Sequence, residues 1–95
     1  MGDVLQEAIH KYGKEHQTLV AVGELAELSD VLAKSLRVDR HEDFKKDVLT
    51  EVADVYICLE QICMMWGFGL DELYKEMEYK VKRLEKRLNE KSSTL

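Results

Sequence analysis

No proline occurs anywhere in the 95 residues, and glycine is confined to five positions. A proline inside a helix costs about 3 kcal/mol or more, so its absence leaves long helices open to almost the whole chain. Apolar residues recur at three- and four-residue spacing over long stretches, the period of one helix face. No segment alternates apolar and polar residues as a half-buried strand would. The expected class is all-α: four helices, two long ones packed antiparallel, in a bundle completed by oligomerisation.

Local signals set the boundaries. The first helix is expected from Asp3, a possible cap with Gln6 at the reciprocal capping-box position, to Tyr12, where Gly13 interrupts the pattern. A second runs from Lys14 to Arg37. Val38-Asp39-Arg40-His41 reads as a connection, with Asp39 and Glu42 as a second capping box. The third helix continues to Trp66, Gly67-Phe68-Gly69 breaks it, and the fourth runs from Leu70 to Asn89. The polar tail Lys91-Ser92-Ser93-Thr94-Leu95 is expected to fray. A chain of this length makes one domain, here residues 1–95, which is marginal alone because so much of its surface stays in water.

The charge balance, 19 acidic against 14 basic side chains, gives a formal net charge of −5. That opposes general attraction to nucleic acid, which rests on neutralising phosphates with Lys and Arg. Cys58 and Cys63 form neither a CxxC motif nor a zinc pattern and read as reduced core residues. No signal peptide precedes the first polar helix, and the longest apolar run, Ile62 to Trp66, is too short to span a bilayer. The expectation is a soluble, cytoplasmic protein with no membrane partner.

On helical wheels, acidic residues fall inside or beside the apolar arcs. In the second segment Val20, Ala21, Leu25, Leu28, Val31, Leu32 and Leu36 form an apolar arc. Glu24 projects inside that arc, and Glu27 lies at its edge beside Val20. In the third segment Phe44, Val48, Val52, Val55, Leu59, Ile62 and Trp66 make the stripe. Glu51 sits against its side near Ile62, and Asp54 falls just outside. Each pair is spaced i and i+3, so its members share a face one turn apart. Burying an unpaired carboxylate costs several kcal/mol, so these charges need partners. Packed through their stripes, the two helices bring four carboxylates together, a grouping that bound cations make tolerable. An all-oxygen donor set suits Mg²⁺, with Mn²⁺ as a further candidate, over zinc. Two alternatives stand beside this reading: solvated acidic faces, or structural ion pairs with lysines of the fourth helix. A di-iron bundle is disfavoured, because the Glu-x-x-His pairs it uses are missing. His10, His16 and His41 fall at or before helix starts and read as surface residues.

At these residues the chain resembles the all-α nucleoside triphosphate pyrophosphohydrolases of the MazG-like superfamily, in particular the short, phage-type members. The family's E-E-x-x-E element is matched by Gly23-Glu24-Leu25-Ala26-Glu27, and its E-x-x-D element by Glu51-Val52-Ala53-Asp54. The flanks are also similar: Lys11-Tyr12-Gly13 and Gln17 upstream, Val55 to Gln61 after Asp54, and the basic segment from Glu78 to Leu84. One position departs from the pattern, because Gly23 stands where the family carries its leading glutamate. The resemblance implies Mg²⁺-dependent hydrolysis of a nucleoside triphosphate to the monophosphate and pyrophosphate, with Glu24, Glu27, Glu51 and Asp54 as metal ligands and catalytic carboxylates. Lys80 and Arg83 become candidates to steady the phosphates, the alternative being a solvated basic face beside Glu76 and Glu90. Tyr12, Gln17, Tyr56 and Trp66 are candidates for base recognition, although an aromatic on a helix stripe, as Trp66 is, ordinarily packs in the core.

Subunits of the resembled family pool their helices, and the uncovered stripes here point the same way, to a homodimer or homotetramer. Leu70, Leu73, Met77, Val81, Leu84 and Leu88 give the fourth helix a stripe of its own. The competing function is a non-catalytic helical-bundle adaptor or regulator that keeps an acidic ion- or nucleotide-binding pocket. A purely structural coiled coil is the third class, and it leaves the seam position of Glu24 unexplained.

Overall fold

The computed structural model describes residues 1–37 and 44–93, with side chains described to residue 90. Four helices follow one another: α1 (Gly2–Tyr12), α2 (Lys14–Ser35), α3 (Phe44–Trp66) and α4 (Leu70–Ser93). There is no strand among the described residues. The proposed Asp39/Glu42 capping box lies outside them.

Gly13 separates α1 from α2 by a single residue at φ +91° and ψ 157°, a backbone state that a residue with a Cβ rarely adopts. Its N–H donates to the Ile9 carbonyl, so α1 ends without an orphaned group at that point. Gly67, at φ +75°, ends α3 in the left-handed conformation common after helix C-termini.

Three boundaries differ from the sequence expectation. Asp3 is not the cap of α1: the helix already includes Gly2, Met1 occupies the capping position, and no side chain bonds there. Asp3 instead sits in the first turn, where a negative charge complements the helix dipole. Helix α2 stops at Ser35, with Leu36 and Arg37 in the following turn. Helix α4 runs on through Ser93, past the expected end at Asn89. Its terminal lysine, asparagine and serines carry no proline or glycine that would stop it.

Helix α2 packs on α3, and α1 lies against both. Leu5 and Ile9 of α1, Ala21 of α2, and Val55, Cys58 and Met65 of α3 form the buried apolar core. Through it runs a polar thread. Gln17 Nε2 donates to Gln61 Oε1 at 3.2 Å, Gln61 Nε2 donates to the Leu5 carbonyl at 3.2 Å, and both glutamines are buried. This thread joins all three helices, and each of its links is short of water to compete for it. Gln61→Leu leaves Gln17 Nε2 and the Leu5 carbonyl without these partners, and should cost about 1–3 kcal/mol in urea denaturation. An unchanged midpoint would remove the thread from the account of stability.

The apolar arcs are only partly covered. On α2 the covered face is Gln17, Ala21, Glu24, Leu28, Val31 and Ser35, rotated from the expected arc toward Glu24. Leu25, Leu32 and Leu36 remain exposed, as do Leu59 and Trp66 on α3. Trp66, expected in the core, is 73% exposed. The physical reason is that α2 and α3 form one layer, and among the described residues no helix covers its far side. Helix α4 packs against none of the other three among the described residues, and its whole described length is exposed. The radius of gyration, 17.4 Å, exceeds the roughly 12 Å of a compact domain of this length. Both cysteines are free, Cys58 buried and Cys63 half-buried, consistent with their reading as reduced core thiols. No helix among the described residues is long and apolar enough to cross a membrane.

Candidate metal centre

Ala21 is nearly inaccessible at the α2–α3 contact. Its small side chain suits a close approach of the two backbones, and the next seam position of α2 is Glu24. Across from it, α3 offers Glu51, Asp54, Val55 and Cys58, residues that share one face through i+3 and i+4 spacing. Glu24, Glu51 and Asp54 are each half-buried, and one oxygen from each lies within 4.8 Å of the other two. Glu27 stands exposed at the rim, within hydrogen-bonding reach of both Glu24 and Glu51.

The electrostatics of this group run one way. Burial pushes the Glu24 carboxyl above the usual range, and the negative charges of Glu27, Asp54 and Glu51 push it further. Glu51 is raised by burial first, then by Glu27 and Asp54, with a smaller effect from Asp47. Glu24 Oε2 and Glu51 Oε2 are both buried and accept no hydrogen bond from any described residue. Unpartnered buried acceptors of this kind are rare in native proteins and call for a specific reason. Hard oxygen donors, several negative charges and unfilled lone pairs together fit a divalent cation of the Mg²⁺ or Mn²⁺ type.

Cys58 forms part of the same neighbourhood. Burial raises its thiol, and the nearby carboxylates Glu24 and Asp54 raise it further, so it stays protonated and inert beneath the cluster. From the sequence Cys58 reads as a reduced core residue, with no link to the acids. The i, i+4 spacing from Asp54 was the available signal.

The other site candidates are dispersed. Gln17 lies on the Glu24 face two turns earlier, but its side chain is committed to the buried thread, and its Oε1 is 2.8 Å from His16 Nδ1. Tyr56 is exposed on the side of α3 away from Glu51 and Asp54. Lys80 and Arg83 sit on α4, which does not touch α2 or α3. There Lys80 lies 4.0 Å from Glu76, and the Arg83 guanidinium lies 5.9 Å from the Tyr79 ring centre. Tyr12 and His16 form a tilted ring pair with centroids 5.3 Å apart. Within one chain, then, the carboxylates converge and the basic and aromatic candidates do not join them. No protein-family model, curated protein or solved structure matches this chain.

Proposed function

We propose that this protein is a magnesium-dependent hydrolase that converts a nucleoside triphosphate to its monophosphate and pyrophosphate, acting as a homodimer or larger homo-oligomer. One observation carries the reading: two buried glutamate oxygens, on Glu24 and Glu51, lie within one carboxylate cluster and have no donor to satisfy them among the described residues. Partner contacts support the expected antiparallel run of α2 and α3. Gln17, early in α2, meets Gln61, late in α3, while Glu24 meets Asp54 further along.

Glu24, Glu51 and Asp54 would hold the cation, and Mn²⁺ would serve in place of Mg²⁺. When bound, the ion supplies positive charge for the triphosphate oxygens and makes water there more acidic. The residues do the rest. Glu27, exposed at the rim and close to both glutamates, would accept a proton from the attacking water and orient it. That water adds to the α-phosphorus, the bond to the bridging oxygen breaks, and pyrophosphate leaves with the bridging oxygen. Half-burial of the ligand carboxylates strengthens their hold on a cation by limiting competition from water. Gly23, where the resembled family has a further glutamate, faces open space, so the three clustered carboxylates assemble without it.

The exposed arc of α2 and α3, the separate α4 and the extended dimensions of 55 × 39 × 21 Å support self-association. The deciding measurement is pyrophosphate release from a panel of canonical and modified triphosphates with Mg²⁺. Release abolished by a chelator is expected. No release from any substrate, with nucleotide still bound in calorimetry, would favour the adaptor reading instead.

A further inference from the structure

Helix α4 carries a heptad repeat with an ordered charge pattern. With Leu70, Met77 and Leu84 at d, the a positions are Tyr74, Val81 and Leu88. This register holds for three heptads, residues 70–90. Aliphatic residues at d with a β-branched Val81 at a central a position suit two strands. The flanking positions are segregated by sign: Asp71, Glu78 and Glu85 occupy every e, while Lys80 and Arg87 occupy g after Leu73. The a and d side chains are open to water, with Met77 at 50% and Val81 at 62% exposure, and α4 rests on no other helix of its chain among the described residues.

We propose that α4 pairs with α4 of a second copy of this chain as a parallel, in-register, two-stranded coiled coil. Charge decides the direction. In a parallel pair a g residue faces the e residue five positions on in the partner, so Lys80 of each copy meets Glu85 of the other. The Leu73 side chain likewise lies along the stem of Glu78. In an antiparallel pair g faces g and e faces e, which sets Lys80 and Arg87 against their own kind and Glu78 and Glu85 against theirs. The intrahelical contacts of α4, Lys80 to Glu76 at 4.0 Å and Lys82 to Glu78 at 3.9 Å, are exposed and weak, and they leave Glu85 free to pair across the seam. A parallel coil has its two-fold axis along its length. Both α2–α3 layers therefore leave the same end of the coil through Gly67–Gly69, and the two acidic clusters lie at that end. Lys80 becomes a residue of the coil.

The test uses the full chain and needs no turnover, so it stands or falls separately from the hydrolytic reading. Sedimentation equilibrium should show wild type self-associating and Glu85→Lys weakened about tenfold or more, since two cross-strand attractions become repulsions. Adding Lys80→Glu to that variant restores the parallel g–e pair and should restore association. Glu76→Gln, which breaks only an intrahelical pair, should associate as wild type does. Circular dichroism reports whether each variant keeps its helices. Leu84→Cys should form a covalent dimer under mild oxidation, because in-register d positions face one another, whereas wild type with its native thiols should not. A monomeric wild type, a Glu85→Lys variant as tightly associated as wild type, a charge swap that does not recover, or a Leu84→Cys chain that stays unlinked each overturns the proposal.

Discussion

Glu51→Gln is expected to lower pyrophosphate release by a hundredfold or more, since even residues that merely orient a metal ligand are commonly worth about 10- to 100-fold. Glutamine keeps the shape of the side chain but removes a negative oxygen from the group that would hold the cation. The same change should act in the opposite direction on the metal-free fold. Glu51 is raised by burial and by Glu27 and Asp54, so its charged form is disfavoured in the folded chain. Removing that charge relieves repulsion on Glu24 as well, because Glu51 is among the charges that raise it. The metal-free variant should therefore melt above metal-free wild type while losing activity. That pair of opposite signs separates a functional carboxylate from a structural one. A variant that melts lower and hydrolyses normally would show that Glu51 serves packing alone.

The second large effect is a coupled dependence of stability on pH and on divalent cations. In the metal-free protein Glu24 and Glu51 titrate above the ordinary carboxylate range. Between the ordinary value and the raised one, the folded chain binds protons that the unfolded chain has already released. Stability attributable to these groups is greatest below that window and falls as pH rises through it. A cation reverses the slope. Ligand carboxylates must be deprotonated, so Mg²⁺ or Mn²⁺ binds more tightly as pH rises and its stabilising effect is largest above the window. At a hundredfold excess over the dissociation constant, one site adds about 2.7 kcal/mol, a rise in melting temperature of about 10–20 °C for a domain of this size. Thermal melts across the pH range, with Mg²⁺ and with a chelator, give both slopes. A melting temperature indifferent to Mg²⁺ and Mn²⁺ at neutral pH would remove the cation from the account, and with it the hydrolytic reading. Glu24→Gln should flatten the pH response, since it removes one of the two titrating groups.

The centre's chemistry also constrains what Cys58 contributes. It is buried beneath Glu24 and Asp54, and its thiol is raised by burial and by their charges. A thiol held protonated in the metal-free chain is a poor nucleophile, and the proposed cation would rest on the oxygen donors of Glu24, Glu51 and Asp54. Its contribution is volume under the cluster, where water is excluded.

Helical class and the number of helices were legible in the chain because both depend on local chemistry. The 3.6-residue period, the missing proline and the glycines at Gly13 and Gly67 act within a few residues and need no knowledge of the fold. The convergence of Glu24, Glu51 and Asp54 was also legible in outline, because an i, i+3 pair on the margin of an apolar stripe can face only a packed neighbour or its edge. Periodicity, however, states which residues prefer to be covered and says nothing about what is available to cover them. Trp66 and Leu36 read as stripe residues and are exposed, because α2 and α3 make a single layer with no further helix on that side among the described residues. Gln17 and Gln61 read as polar and are buried, because their amides satisfy one another and the Leu5 carbonyl across three helices. The sequence alone determined the helices and the faces on which charge had to gather. Only the tertiary structure decided which half of each face is covered, and that, among the described residues, α4 packs on no other helix and Glu24 Oε2 and Glu51 Oε2 are left without donors. Those outcomes depend on contacts between residues tens of positions apart, where packing and solvent exclusion, rather than local conformational preference, set the free energy.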